Sequence, residues 1–166
     1  MSTSSQNLLC SELATERLQQ LLNAYNITVH YLNDDAELTG SFWGDPEAGL
    51  IDNGLYIKPS TPLQSALHEA CHYICMDKQR RKKLDTNAEG DYDEENAVCY
   101  LQILLADLIP ECGQARMMED MNTWGYSFRL GSSQAWFEQD AEDARLWLEK
   151  HQIIDPQKKP TGQLRE

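Results

Sequence analysis

Thr61-Pro62-Leu63-Gln64-Ser65-Ala66-Leu67-His68-Glu69-Ala70-Cys71-His72-Tyr73-Ile74-Cys75-Met76-Asp77-Lys78 is the stretch whose reading organises the chain. Pro62 suits a first helical position, where its missing N–H is not needed. Thr61 before it and Gln64 after it have the spacing of a capping box. The pattern predicts a helix over 62–78. His68 and His72 are then one turn apart on one face and able to share a metal ion, the H-E-x-x-H arrangement. Glu69 lies about 100° around the same helix, within reach of a water held by that metal. Leu63, Ala66, Leu67, Ala70 and Ile74 form the apolar stripe on another side. The histidines, aimed away from that stripe, are therefore either exposed or directed into a cleft.

Upstream, Leu18, Leu21, Leu22 and Tyr25 recur at helical spacing, and Asn26 is a natural stop. The alternation in 27–32 predicts a strand, and 38–43 a second. Asn53-Gly54, between Leu50-Ile51-Asp52 and Leu55-Tyr56-Ile57, predicts a hairpin with a two-residue turn. Downstream, Asp91 or Asp93 opens a helix over 91–109, and a shorter helix covers 114–121. A last helix, capped by Ser132 or Ser133, carries Phe137, Ala141, Ala144 and Leu148 on one stripe. Trp124, Trp136 and Trp147 with Phe128 and Phe137 read as core of this carboxyl-terminal part. The expected organisation is one α+β domain over 8–154, with disordered tails at 1–7 and 155–166.

The chain has 166 residues, of which 41% are hydrophobic, so a core can form without disulfides or a structural metal. Fourteen Lys and Arg against 27 Asp and Glu give a net charge of −13, which repels phosphate backbones and argues against nucleic-acid binding. The one basic cluster, Lys78-Gln79-Arg80-Arg81-Lys82-Lys83, suits a helix carboxyl end. No window has the ~20 apolar residues of a membrane span. The amino terminus lacks the features of a secretory signal, so a cytoplasmic location is expected. Five cysteines, an odd number, fit reduced thiols better than a disulfide framework.

A catalytic zinc takes three protein ligands and leaves a position for water. The 91–109 helix offers Asp91, Asp93, Glu94 and Glu95. Glu94 is in phase with Ala97, Val98, Leu101 and Leu105, so it points inward, and an inward carboxylate requires a compensating cation. Glu94 is the expected third ligand. Glu95, turned toward the flank with Cys99 and Gln102, is the alternative.

His68-Glu69-x-x-His72 followed by Glu94-x-x-Ala97 and an apolar helix ending in Leu104-Leu105 and Pro110 resembles the glutamate-ligand zincins, most closely the ImmA/IrrE metallopeptidase family. The likeness covers residues 50–110. It implies a small zincin-like domain in which a short antiparallel sheet or hairpin packs on the H-E-x-x-H helix and a glutamate-bearing helix. It further implies Zn²⁺ on His68, His72 and Glu94, Glu69 as general base, and a peptide or protein substrate pairing with the strand that carries Tyr56. Tyr92, Tyr100, Tyr126, Arg129 and His151 are candidates for oxyanion stabilisation. A zinc-dependent peptidase is the leading expectation. A non-catalytic zinc-binding or regulatory protein on the same scaffold is the alternative, and a metal-free thiol protein using Cys71 and Cys75 ranks last, because C-x-x-x-C is not the redox spacing.

Overall fold

A computed structural model of the chain describes residues 6–33, 48–83 and 90–166. Its helices are α1 (Arg17–Leu22), α2 (Leu63–Cys75), α3 (Lys78–Lys82), α4 (Tyr92–Ala106), α5 (Gly113–Trp124), α6 (Ser133–Gln139) and α7 (Glu142–Lys150), and its strands are β1 (Thr28–Tyr31), β2 (Gly49–Ile51) and β3 (Gly54–Ile57). The α+β class holds. The three strands form one mixed sheet in the order β1-β3-β2, with β1 parallel and β2 antiparallel to β3, where a purely antiparallel arrangement was expected. The strand expected over 38–43 lies outside the described residues.

The hairpin is present, but its turn is one residue earlier than expected. Ile51 pairs with Gly54, so Asp52 and Asn53 make the turn, and Asp52 takes the positive φ of 50°. Gly54 is instead a strand residue beneath a ring. A Cβ there would stand 3.1 Å from both His30 Cδ2 and Tyr56 Cε1, whose rings stack at 4.5 Å. The glycine makes room for this stack.

The start of α2 is held differently from a capping box. Thr61 Oγ1 accepts from the Lys58 amide, and the Leu63 amide donates to the Leu8 carbonyl at 2.8 Å. A distant chain segment thus satisfies a donor of the helix's first turn. The helix stops at Cys75, short of Lys78, and Asp77 then caps the separate short α3 by accepting from the Arg80 amide. Asp91 caps α4 as expected, through the Glu94 amide.

Helix α2 packs on β2, β3 and α4, the α2–α4 contact being the most extensive between elements of the described residues. Leu67 and Ile74 of α2 and Leu101, Ile103 and Leu105 of α4 are all fully buried. Helix α7 packs on α4 with Ala144 and Leu148, and Trp136 of α6 meets Tyr100 edge-on. The expected last helix is two helices broken at Asp140, although Phe137, Ala141, Ala144 and Leu148 continue one apolar contact across the break.

Residues 155–166, expected as a disordered tail, fold back onto the body. Thr161 N–H donates to the Ile153 carbonyl and Arg165 N–H to the Ile74 carbonyl at the end of α2. The Arg165 guanidinium lies 5.0 Å from the centre of the Trp147 ring. No helix among the described residues is long and apolar enough to cross a membrane.

Candidate metal centre

His68 and His72 project from α2 toward α4, their Nε2 atoms 3.1 Å apart and their rings edge to face. Facing them on α4 is a stripe at i, i+4 and i+7: Glu95, Cys99 and Gln102. Glu95 Oε1 stands 3.5 Å from His72 Nε2, while Glu95 Oε2 accepts from the Gly90 amide at 3.0 Å. One donor atom from each of His68, His72 and Glu95 lies within 4.8 Å of the others. Donors at ~2.0–2.1 Å from a tetrahedral ion are separated by about 3.4 Å. The 3.1 and 3.5 Å separations therefore fit a group that could hold one ion.

Glu94, expected as the third ligand, does point inward and is only 2% exposed. Its positive partners are two arginines. Arg80 of α3 grips both of its oxygens, at 2.7 and 2.8 Å, and Arg165 adds a bond of 3.1 Å. The physical argument that an inward carboxylate needs positive charge was right, and two arginines satisfy it. The structure thus brings Glu95, the alternative, to the histidines and leaves Glu94 behind them as an anchor for the start of α4. Gly90 is part of this packing, since a Cβ there would come within 2.2 Å of Glu94 Oε2.

Two residues of the basic run are accounted for by these contacts. Arg80 is committed to Glu94, and Arg81 donates to the carbonyls of Tyr73, Met76 and Arg165. Arg81 closes the carboxyl end of α2, and Arg80 ties α3 to the start of α4.

Gln102 is fully buried among the apolar residues of α4. Its Oε1 lies 2.9 Å from His68 Nδ1, and its Nε2 donates to the Gln64 carbonyl at 3.0 Å. Tyr126 sits edge-on to His68, 5.4 Å between ring centres, with its hydroxyl donated to Gln64 Oε1 at 2.7 Å. Burial pushes that phenol well above its ordinary value. It is a neutral donor already in use. Of the other oxyanion candidates, Tyr92 is exposed, Tyr100 packs on Trp136 and Phe137, Arg129 pairs with Asp140, and His151 lies tilted against Trp147. The structure brings only Tyr126 of the five against His68. Sequence reading placed Gln102 on the Glu95 flank without giving it a role; a lone amide within the Leu-rich part of α4 was the available signal.

Burial, the adjacent His68 and the Arg80 guanidinium hold His72 well below the usual imidazole value, and burial also lowers His68. Both rings are neutral donors, the form a metal requires. Because the unfolded His72 takes up a proton near pH 6.5 and the folded one does not, its contribution to stability is complete above that pH. It is lost progressively as pH falls below it. Metal-free protein is expected to lose stability through His72 as the pH falls below about 6.5. Urea unfolding at pH 7.5, 6.5 and 5.5, compared with His72→Gln, checks this; parallel pH profiles for the two proteins would contradict it.

Glu69 follows His68 on α2 and is partly exposed, in the position from which a base can serve the cleft. Cys71 and Cys75 are buried, and burial raises both thiols well above their ordinary value, which removes the thiolate a cysteine-based reaction needs. Comparison with protein-family models, with curated proteins and with solved structures finds no match to this chain.

Proposed function

We propose that the chain is a zinc-dependent peptidase of zincin type, its metal held by His68, His72 and Glu95. The observation that carries this reading is the meeting of two neutral imidazoles and one carboxylate on facing helices, with Glu69 of the H-E-x-x-H segment beside them. Two histidines and a glutamate are a donor set of catalytic zinc, which leaves one position for water. Zinc, when bound, supplies Lewis-acid polarisation of a peptide carbonyl and lowers the pKa of water toward about 7.

The rest of the chemistry falls to the chain's own residues. Glu69 accepts a proton from the attacking water and delivers it to the leaving amine. Tyr56 lies on β3, which is already paired on both sides, so the strand first expected to receive the substrate cannot do so. Among the described residues β2 has a strand partner on one side only, and it packs on α2. An extended peptide adding to β2 would run along the helix that carries the histidines.

The commitment of the Tyr126 hydroxyl to Gln64 favours a second reading, a non-catalytic zinc-binding protein on the same scaffold. Metal content by plasma mass spectrometry, followed by a peptide-library digest, separates the two. One zinc per chain, lost in His72→Ala, with chelator-sensitive cleavage supports the peptidase. One zinc without cleavage supports the second reading, and no zinc after reconstitution overturns both.

A further inference from the structure

We propose that Gln102 is the positioning residue of the centre, fixing the His68 tautomer in which Nδ1 carries the proton and Nε2 presents a bare lone pair to the cleft. The inference deepens the metal reading above and rests on it for its purpose, but not for its test. A side-chain amide can be turned either way round, and what surrounds this one decides the matter. The Gln64 backbone carbonyl, an acceptor only, lies 3.0 Å from one end of the Gln102 amide. That end must be the NH₂ group. The Tyr126 oxygen, 3.4 Å away, takes the same orientation, because its own hydrogen is donated to Gln64 Oε1.

The other end, Oε1, is then an acceptor facing His68 Nδ1 at 2.9 Å. Only a protonated Nδ1 makes that contact favourable. A neutral imidazole has one N–H, so Nε2 is left without one, 3.1 Å from His72 Nε2 and on the side of Glu95. Gln102 is fully buried and cannot exchange this contact for water. The choice of tautomer is therefore built into the α2–α4 interface before any ion arrives, which is how an outer partner orients a ligating imidazole. The partner here is a neutral amide. Unlike a carboxylate, it orients the ring without adding a negative charge behind it.

The test is made first on metal-free protein labelled with ¹⁵N in its imidazoles. Long-range ¹H–¹⁵N correlation spectra report each ring's tautomer, and His68 is assigned by its loss in His68→Gln. The Nδ1–H form is expected in the wild type. In Gln102→Leu that preference should disappear and zinc affinity, by chelator competition, should fall about 10- to 100-fold. Gln102→Glu, which keeps an acceptor toward Nδ1 but sets an oxygen against the Gln64 carbonyl, should retain the tautomer and bind zinc more tightly than Gln102→Leu. An Nε2–H tautomer in the metal-free wild type would overturn the proposal even if neither variant folds. So would a folded Gln102→Leu with unchanged tautomer and affinity. A wild type with the expected tautomer that binds no zinc supports the role of Gln102 and overturns the metal reading alone.

Discussion

Glu95→Ala is expected to abolish stoichiometric zinc binding with little loss of stability, and Glu94→Ala to do the reverse. The two residues are neighbours on one helix and opposite in environment. Glu95 has a side chain 37% exposed and faces His72, whereas the Glu94 side chain is 3% exposed and held by Arg80 and Arg165. Removing one partner of a buried ionic group leaves its counter-charges without compensation, at a cost of about 3–5 kcal/mol. Both arginines retain some access to water, so the lower end, about 3 kcal/mol, is expected for Glu94→Ala. Removing Glu95 takes away one of three donors and no buried charge. Metal content per chain and urea unfolding on the two variants side by side decide the matter. A Glu94→Ala protein of wild-type stability that has lost its zinc would restore Glu94 as the ligand and overturn the arrangement described above.

Glu69→Gln is expected to reduce peptide hydrolysis about 10²- to 10⁴-fold, the usual contribution of a positioned general base. Zinc should stay at one per chain, because the substitution touches none of the three donors and is nearly equal in size. The separation of the two readouts is what gives the experiment force. A residue that merely supports α2 would lower metal content or stability along with activity, while a base lowers activity alone. Hydrolysis that survives in Glu69→Gln at more than about a tenth of the wild-type rate would exclude Glu69 as the base.

What could be read from the sequence was whatever depends on one segment at a time. His68 and His72 share a face because they are four apart on one helix, and that follows from helix geometry alone. Asn26 as a stop and Asp91 as a cap are equally local, and the structure agrees, Asn26 having φ 59°. The choice between Glu94 and Glu95 is not local. It depends on which face of α4 meets α2, and the apolar stripe alone did not reveal that the polar stripe Glu95-Cys99-Gln102 is the one turned to the histidines. The same holds for the charge that satisfies Glu94. Arg80 is 14 residues away and Arg165 is 71, and no periodicity links them. The hairpin was recognised and its turn misplaced by one residue, because the role of Gly54 is set by the His30 ring from another strand.

The clasp at the end of α2 also bears on when the centre is completed during synthesis. Arg165 supplies its amide to Ile74, its guanidinium to Cys75 and to Glu94, and its carbonyl to Arg81. Every one of these partners leaves the ribosome well before Arg165 does. A nascent chain can therefore place His68, His72 and Glu95 on their helices while Glu94 still has only Arg80 for company. The start of α4 gains its second arginine only when Arg165 has docked, so an ion captured earlier would meet a looser set of donors than one captured afterwards.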